Sequence, residues 1–424
     1  MSREMKDSGV EWIGEIPKNW DVMKLLFVLR SPITDGPHET PNLVESQEGI
    51  PFISVDSLNN TKQVDLSIVK KYISVKDYNE YRKKAFLEKG DVLFTKAATI
   101  GKTAIVDNPT EYMVWSPIAI LKPSKKCFNE YLYYILNCKE AIKYTRDIIG
   151  HETTQVNVGM RDLEKLKIPI APFDEQKRIA IFLDSKCEAI DQAIQKKKDI
   201  VIKLKEYKQS TITQAVTKGL NPDVEMKDSG IDWIREIPSN WYTQRFKFFH
   251  TCANVGISLD KNYWSDNDCY DVFYTAGEKH IYSSFSDFPL DKYTTEQDLL
   301  LSRNGTPYVY YPKTHSQYSD HIIRTNIFPK YCKRFVFYCL QQSILSDTVD
   351  SVSIPTWSIS IWDKQILTVP PLDEQKSIAT FLDSKCSKIN ESIERSNKII
   401  QKLEEYKKAL IYNAVTGKID CRNA

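Results

Sequence analysis

The chain has 424 residues, 42% of them hydrophobic and 27% charged, ordinary proportions for a globular protein of two to four domains. No run approaches the roughly 18 consecutive apolar residues of a membrane span, and the charged segment Met1–Asn19 lacks the apolar core of a secretory signal, so a cytoplasmic protein without membrane contact is expected. The formal net charge of +2 leaves a nucleic-acid partner open, because an acidic face can hide a basic one in the sum.

In chain order, residues 1–20 carry a short motif, MKDSGVEWIGEIPKNW at Met5–Trp20. A variable block over 21–172 follows. Its β-branched and aromatic runs, separated by turn residues, predict strands at Ile50–Val55, Asp91–Thr95, Thr103–Val106 and Met113–Leu121, and a helix over Asn129–Arg146. Residues 173–220 predict one long helix. Asp174–Val216 contains neither Gly nor Pro, with Asp174 the expected N-cap and Gly219 the expected C-cap. At 221–241 the first motif returns as MKDSGIDWIREIPSNW (Met226–Trp241), with twelve of sixteen positions unchanged. A second variable block over 242–371 predicts strands at Val272–Tyr274, Leu299–Ser302, Tyr308–Tyr311 and Ile322–Phe328, and a helix over Lys330–Gln342. Residues 372–424 repeat the long helix at Asp373–Val415, with Asp373 as N-cap and Gly417 as C-cap.

A duplicated frame thus holds two unlike inserts. The long helices carry apolar residues at alternating steps of four and three: Leu183, Cys187, Ile190, Ile194, then a polar break at Lys197, then Val201 and Leu204. Leu382, Cys386, Ile389, Ile393, Ser396, Ile400 and Leu403 form the matching row. A 3.5-residue period is a coiled-coil seam. An antiparallel pair closing about a pseudo-two-fold axis is the expectation, each helix on the order of 60 Å long at ~1.5 Å per residue. The alternative is that each helix packs only on its own domain. The fold class is α/β (α+β), with two mixed β/α domains joined by the helix pair.

Apparent catalytic motifs fail on spacing. Gly101-Lys102-Thr103 resembles the end of a phosphate loop, but Lys96 stands where the loop needs its first glycine. Pro222-Asp223 with Glu225 and Lys227 mimics a nuclease pattern whose acids belong on adjacent strands, yet one residue separates its halves. No Asp/Asn-Pro-Pro-aromatic segment of an adenine methyltransferase occurs, and the six histidines form no HxxxH pair. Nine cysteines include no CxxC pair, so no metal site is expected, and reduced, mostly buried thiols are.

Proline followed by Asp-Glu-Gln and Ile-Ala-x-Phe-Leu-Asp (from Pro172 and Pro371), together with Asp-Ser-Gly-x-x-Trp-Ile-x-x-Ile-Pro-x-x-Trp, resembles the repeated elements of type I restriction-modification specificity subunits. The resemblance spans the whole chain. Asp35-Gly36-Pro37-His38 and Lys89-Gly90-Asp91-Val92-Leu93 resemble segments of that family's target recognition domains. Ser302–Thr306 looks like the counterpart of Thr99-Ile100-Gly101, whereas Thr251–Leu259 stands where Asp-Gly-x-His is missing.

The resemblance implies a non-catalytic subunit that reads a bipartite, asymmetric site in double-stranded DNA, one half per variable block. It implies docking of two adenine-N6 methyltransferase subunits and of motor-nuclease restriction subunits. S-adenosylmethionine, ATP and magnesium would belong to those partners, and this chain would bind no cofactor. A stand-alone DNA-binding or protein-interaction module is the competing reading.

Loop residues suited to reading bases are Lys96, Thr99, Lys102, His151, Thr153, Thr154 and Gln155 in the first block, and Arg303, Asn304, Thr306, Thr356 and Trp357 in the second. Gly101 and Gly305 would permit close backbone approach.

Overall fold

The computed structural model describes residues 3–39, 41–59, 61–149, 157–346 and 356–422. Contacts divide the chain into two compact units: Met1–Lys197 with Lys398–Ala424, and Lys198–Asn397. Each unit builds the same frame and the same main sheet, so they are described in turn.

In the first unit, the N-terminal motif forms a hairpin, Met5–Asp7 against Glu15–Pro17. The ends of the variable block meet in an antiparallel pair, Asp21–Lys24 with Lys167–Ile170. Between them lies a four-stranded antiparallel sheet made of β1 (Thr34–Asp35), β2 (Val92–Thr95), β3 (Thr103–Ile105) and β4 (Ile118–Leu121), in the order β1-β4-β2-β3. A smaller sheet pairs Ile50–Ile53 with Tyr72–Ile73 and, in parallel, with Met113–Val114. The single strand expected over Met113–Leu121 is therefore two. The chain leaves one sheet at Val114 and enters the other at Ile118. Pro117 falls in the break, where it has no N–H to offer, and its carbonyl accepts the Lys96 N–H at 2.8 Å.

The expected helix Asn129–Arg146 is also two, Asn129–Leu136 and Lys139–Ile149, parted at Asn137. A helix that the apolar pattern did not suggest, Val75–Lys84, starts at Ser74, whose hydroxyl accepts from the Asp77 N–H. Ser-x-x-Asp is a capping signature that the strand-like reading of this block passed over.

The second unit repeats the plan. The hairpin is Met226–Asp228 with Glu236–Pro238, and the block is closed by Tyr242–Arg245 against Ile366–Val369. Its main sheet holds β5 (His250–Val255), β6 (Asp298–Ser302), β7 (Val309–Tyr310) and β8 (Ile322–Ile327) in the order β5-β8-β6-β7. The block's helix runs Lys333–Ser346, starting later than its expected Lys330.

The two long helices are α1 (Phe173–Lys218) and α2 (Leu372–Val415). Asp174 and Asp373 are not their N-caps. The helices begin one residue earlier, and the carbonyls of Pro172 and Pro371 take the first free N–H groups, those of Glu175, Gln176, Glu374 and Gln375. Both aspartates sit in the first turn with side chains in solvent, where a negative charge favours the helix dipole. The C-caps are as expected: Gly219 and Gly417 have φ of +75° and +73°.

The seam positions are buried or half-buried along both helices, and their flanks are exposed. In the first unit Leu183, Cys187, Ile190 and Ile194 of α1 share a core with Leu410, Ala414 and Val415 of α2. In the second, Ile212, Ala215 and Val216 share one with Ile378, Leu382 and Cys386. Within each unit the start of one helix thus meets the end of the other, which is antiparallel pairing. Polar pairs flank the seam at matching places: Lys407 on Asp191 at 2.7 Å in the first unit, and Lys208 on Asn390 at 3.0 Å in the second.

The repeated Asp-Glu-Gln tripeptide binds the frame to each insert. Glu175 accepts the Trp20 indole N–H at 3.1 Å, and Glu374 that of Trp241 at 2.9 Å. Gln176 accepts the Phe128 N–H and donates to the carbonyls of Ala171 and Lys126. Gln375 accepts the Cys332 N–H and donates to Pro370. Eight residues after each glutamine, Asp184 and Asp383 accept the phenol hydroxyls of Tyr134 and Tyr338. Losing the carboxylate of Glu374 would leave a buried indole N–H without an acceptor. Glu374→Ala should therefore lower stability by about 1–3 kcal/mol, seen as a lower urea midpoint with an unchanged slope. An unchanged midpoint would show the bond to be dispensable.

Six of the eight described cysteines are buried, and burial pushes the Cys127 thiol up to about 12 and the Cys187 thiol up to about 11. Cys269 is exposed. In the native protein a thiol reagent should label Cys269 well before Cys127, Cys187 or Cys339, with mass spectrometry of digests as the readout.

Candidate nucleic-acid interface

The β2–β3 and β6–β7 turns lie at the same place in the two sheets, and strand register makes the correspondence residue by residue. Ile118 faces Thr95 across the sheet, and Ile322 faces Ser302. Ala119 faces Asp35, and Ile323 faces Val255. So Thr95 matches Ser302, Lys96 matches Arg303, and Asp35 matches Val255.

The backbone of each turn is held by the same bonds. Lys96 donates its N–H to Pro117 and accepts from Val158, both at 2.8 Å. Arg303 donates to His321 at 2.8 Å and accepts from Trp357 at 2.6 Å. Single bridges, Ala97 to Asn157 and Asn304 to Thr356, extend both contacts. A hydroxyl spans each loop from inside. Thr95 donates to the Thr99 carbonyl and accepts from the Lys102 N–H; Ser302 donates to the Thr306 carbonyl and accepts from the Tyr308 N–H. The second loop is one residue shorter. Gly101 and Gly305 both take positive φ, +99° and +76°.

A second correspondence was hidden in the sequence. Gly256 follows β5 as Gly36 follows β1. A Cβ on Gly36 would lie 2.0 Å from the Val114 carbonyl oxygen, and one on Gly256 1.9 Å from that of Tyr318. The segment Thr251–Leu259 therefore crosses the strand Gln317–Tyr318, part of a second sheet of that unit, as closely as Asp35-Gly36-Pro37-His38 crosses Met113–Val114. Only the glycine survives in the second block, too weak a signal to find without the fold.

The candidate residues separate by what their side chains do. Thr99, Arg303, Thr306 and Thr356 are exposed on the loops. Lys102 turns inward to the Val55 carbonyl at 2.8 Å, and the Asn304 amide lies 2.9 Å from the His321 ring nitrogen. Lys96 is buried beneath its loop, 3.1 Å from Asp35. Trp357 is buried against Trp362, its ring centroid 5.4 Å away, so its main chain rather than its indole shapes the loop. His151, Thr153, Thr154 and Gln155 lie outside the described residues. Gly101-Lys102-Thr103 leads from a tight turn into a strand, not into the helix that a phosphate loop requires. Among the described residues no group of three or more His, Cys, Asp or Glu is placed to hold a metal ion. No described helix is long and apolar enough to cross a membrane.

A family model, the type I restriction modification DNA specificity domain, matches residues 17–205 and 250–405. The chain belongs to this specificity-subunit family. Members are DNA-recognition components of type I systems and are not themselves enzymes. The chain is 27% identical over 433 residues to a Methanocaldococcus jannaschii protein named for the MjaX specificity subunit, spanning 96% of this chain and 95% of that one. It is 24% identical over 443 residues to the MjaIX type I restriction enzyme specificity subunit of the same organism, with the same coverage. The fold resembles the HsdS subunit of Thermoanaerobacter tengcongensis, at a TM-score of 0.52 and 14% identity over 95% of this chain and 98% of that one. It also resembles a chain from a study of complex assembly and conformational transition in a type I R-M system, at a TM-score of 0.67 and 13% identity over 95% and 99%.

The glycines rank the demands of the specificity-domain core. Gly256→Ala puts a methyl group into a carbonyl and should unfold or rearrange the second unit. Gly305→Ala meets no atom within 4 Å and carries only the strain of its φ, about 1–2 kcal/mol. Thermal melts of the two variants should differ by well over that amount, and equal melts would refute the close crossing.

Proposed function

We propose that this specificity subunit binds a two-part, asymmetric site in double-stranded DNA, each unit reading one half through its β2–β3 or β6–β7 loop and the segment bridged to it. The supporting observation is one loop scaffold built twice, with the same main-chain bonds and different exposed side chains. The subunit would dock two adenine-N6 methyltransferase subunits and, for cleavage, motor-nuclease restriction subunits. S-adenosylmethionine, ATP and magnesium would act in those partners. This chain contributes recognition and positioning. Arg pairs with guanine, and Thr with several base edges, when presented from exposed loops in the major groove.

Because α1 and α2 each run unbroken through residues of both units, their length would set the count of unread base pairs between the half-sites. The decisive experiment is co-expression with the cognate methyltransferase, followed by genome-wide mapping of methylated adenines. A two-part asymmetric motif is expected; a palindrome or one continuous motif would overturn the reading. One heptad inserted after Val201 in α1 and after Ile400 in α2 keeps the seam in phase. It should lengthen the spacer by roughly three base pairs, at ~1.5 Å per residue and ~3.4 Å per base pair, and leave both half-sites unchanged.

A further inference from the structure

We infer that the two loops are unequal readers: Arg303 reads a guanine in one half-site, while its counterpart Lys96 is a positioning residue withheld from DNA by Asp35. This rests on the proposed reading that the loops face DNA, and deepens it by assigning opposite roles to one scaffold position.

Main-chain bonds hold Lys96 and Arg303 alike, so what differs is the side chain and its surroundings. The Lys96 ammonium and the Asp35 carboxylate lie 3.1 Å apart, each side chain only 9% exposed, and His38 approaches the same carboxylate oxygen at 3.2 Å. Turning Lys96 outward would strand a carboxylate in a place almost closed to water, the costly way to break a buried pair. In the second sheet Val255 occupies the place of Asp35. Arg303 accordingly meets no acid there. It is exposed, and no described residue pairs with its guanidinium.

Its backbone is nonetheless pinned on both sides, by His321 and Trp357. A planar fork of donors on a fixed main chain, with no partner among the described residues to give up, suits bidentate recognition of guanine O6 and N7. The first loop is left with Thr99 as its exposed hydrogen-bonding side chain among the described candidates, and a hydroxyl discriminates bases less sharply. The two half-sites should therefore differ in how strongly a guanine is demanded at the position this loop reaches.

The test uses the subunit assembled with its methyltransferase and a randomised duplex library. The wild-type complex must first select a two-part motif; if it selects none, the functional reading fails before the loops are compared. Given that motif, Arg303→Ala should reduce discrimination at a single guanine by roughly tenfold or more, the range for a bidentate pair, and leave the other half-site intact. Lys96→Met should weaken binding evenly across sequences, with both half-site preferences retained and the slope of log affinity against log salt unchanged. Asp35→Val combined with Lys96→Arg copies the second loop into the first and should add a guanine preference there. The inference is overturned if Arg303→Ala lowers affinity uniformly with a shallower salt slope, which marks a phosphate contact, or if Lys96→Met changes the base preferred in either half-site. Should variants of the buried pair not fold, the exposed Arg303 arm still decides the first half of the inference.

Discussion

A buried tryptophan indole bonded to a glutamate, buried in the first unit and half-buried in the second, holds the frame together, and it occurs once in each unit. Trp20 donates to Glu175 at the head of α1, and Trp241 donates to Glu374 at the head of α2. The tail of the other helix presses on the same ring. A Cβ on Gly417 would lie 3.0 Å from Trp20, and one on Gly219 would lie 3.2 Å from Trp241. Hairpin, helix start and helix end therefore converge on one aromatic side chain, and each has a polar or steric requirement there. The Glu175 carboxylate is tolerable in that setting because one oxygen accepts the indole N–H and a cation offsets its charge: the Arg3 guanidinium lies 2.6 Å from the other oxygen, beside the Trp20 ring. A charge buried without such partners would cost several kcal/mol.

From this anchor the helices reach into the inserts by the same three side chains each time. Glutamate takes the tryptophan, glutamine ties two chain segments at the foot of the insert's helix, and the aspartate eight residues further along takes a tyrosine hydroxyl. Apart from the two tyrosine hydroxyls, these bonds go to frame residues or to main chain. They make few demands on which side chains the insert displays, which is why two blocks with little mutual similarity can be built on one plan.

The β2–β3 and β6–β7 loops follow the same logic on a smaller scale. Their shape is set by main-chain bonds, by one inward hydroxyl and by a glycine at positive φ. The outward side chains are thereby freed to vary without loss of fold. Where Asp35 stands two strands away, the basic residue at the loop's first position is held inside, and where Val255 takes that place it is exposed. Function in such a protein is carried by sites grafted on a constant scaffold.

By itself the sequence determined the duplicated frame, the two long helices with their seam and glycine caps, and the membership of the family, because these depend on local periodicity and on motifs repeated almost unchanged. It placed turns at Thr99–Gly101 and Arg303–Thr306, since glycines between strand runs mark turns, and the structure has a turn at each. Only the tertiary structure decided what those loops present. Lys96 and Arg303 look interchangeable in a string of letters, and it takes the antiparallel register to bring Asp35, 61 positions earlier, beneath one and to put Val255 at the matching strand position of the other. Gly256 likewise has no local signature; its need is a carbonyl supplied by a strand far along the chain. The prolines rather than the aspartates begin the long helices for a similar reason. The aspartate propensity for capping is real, but the glutamate beside it must reach a tryptophan, and that distant bond sets where the first turn starts.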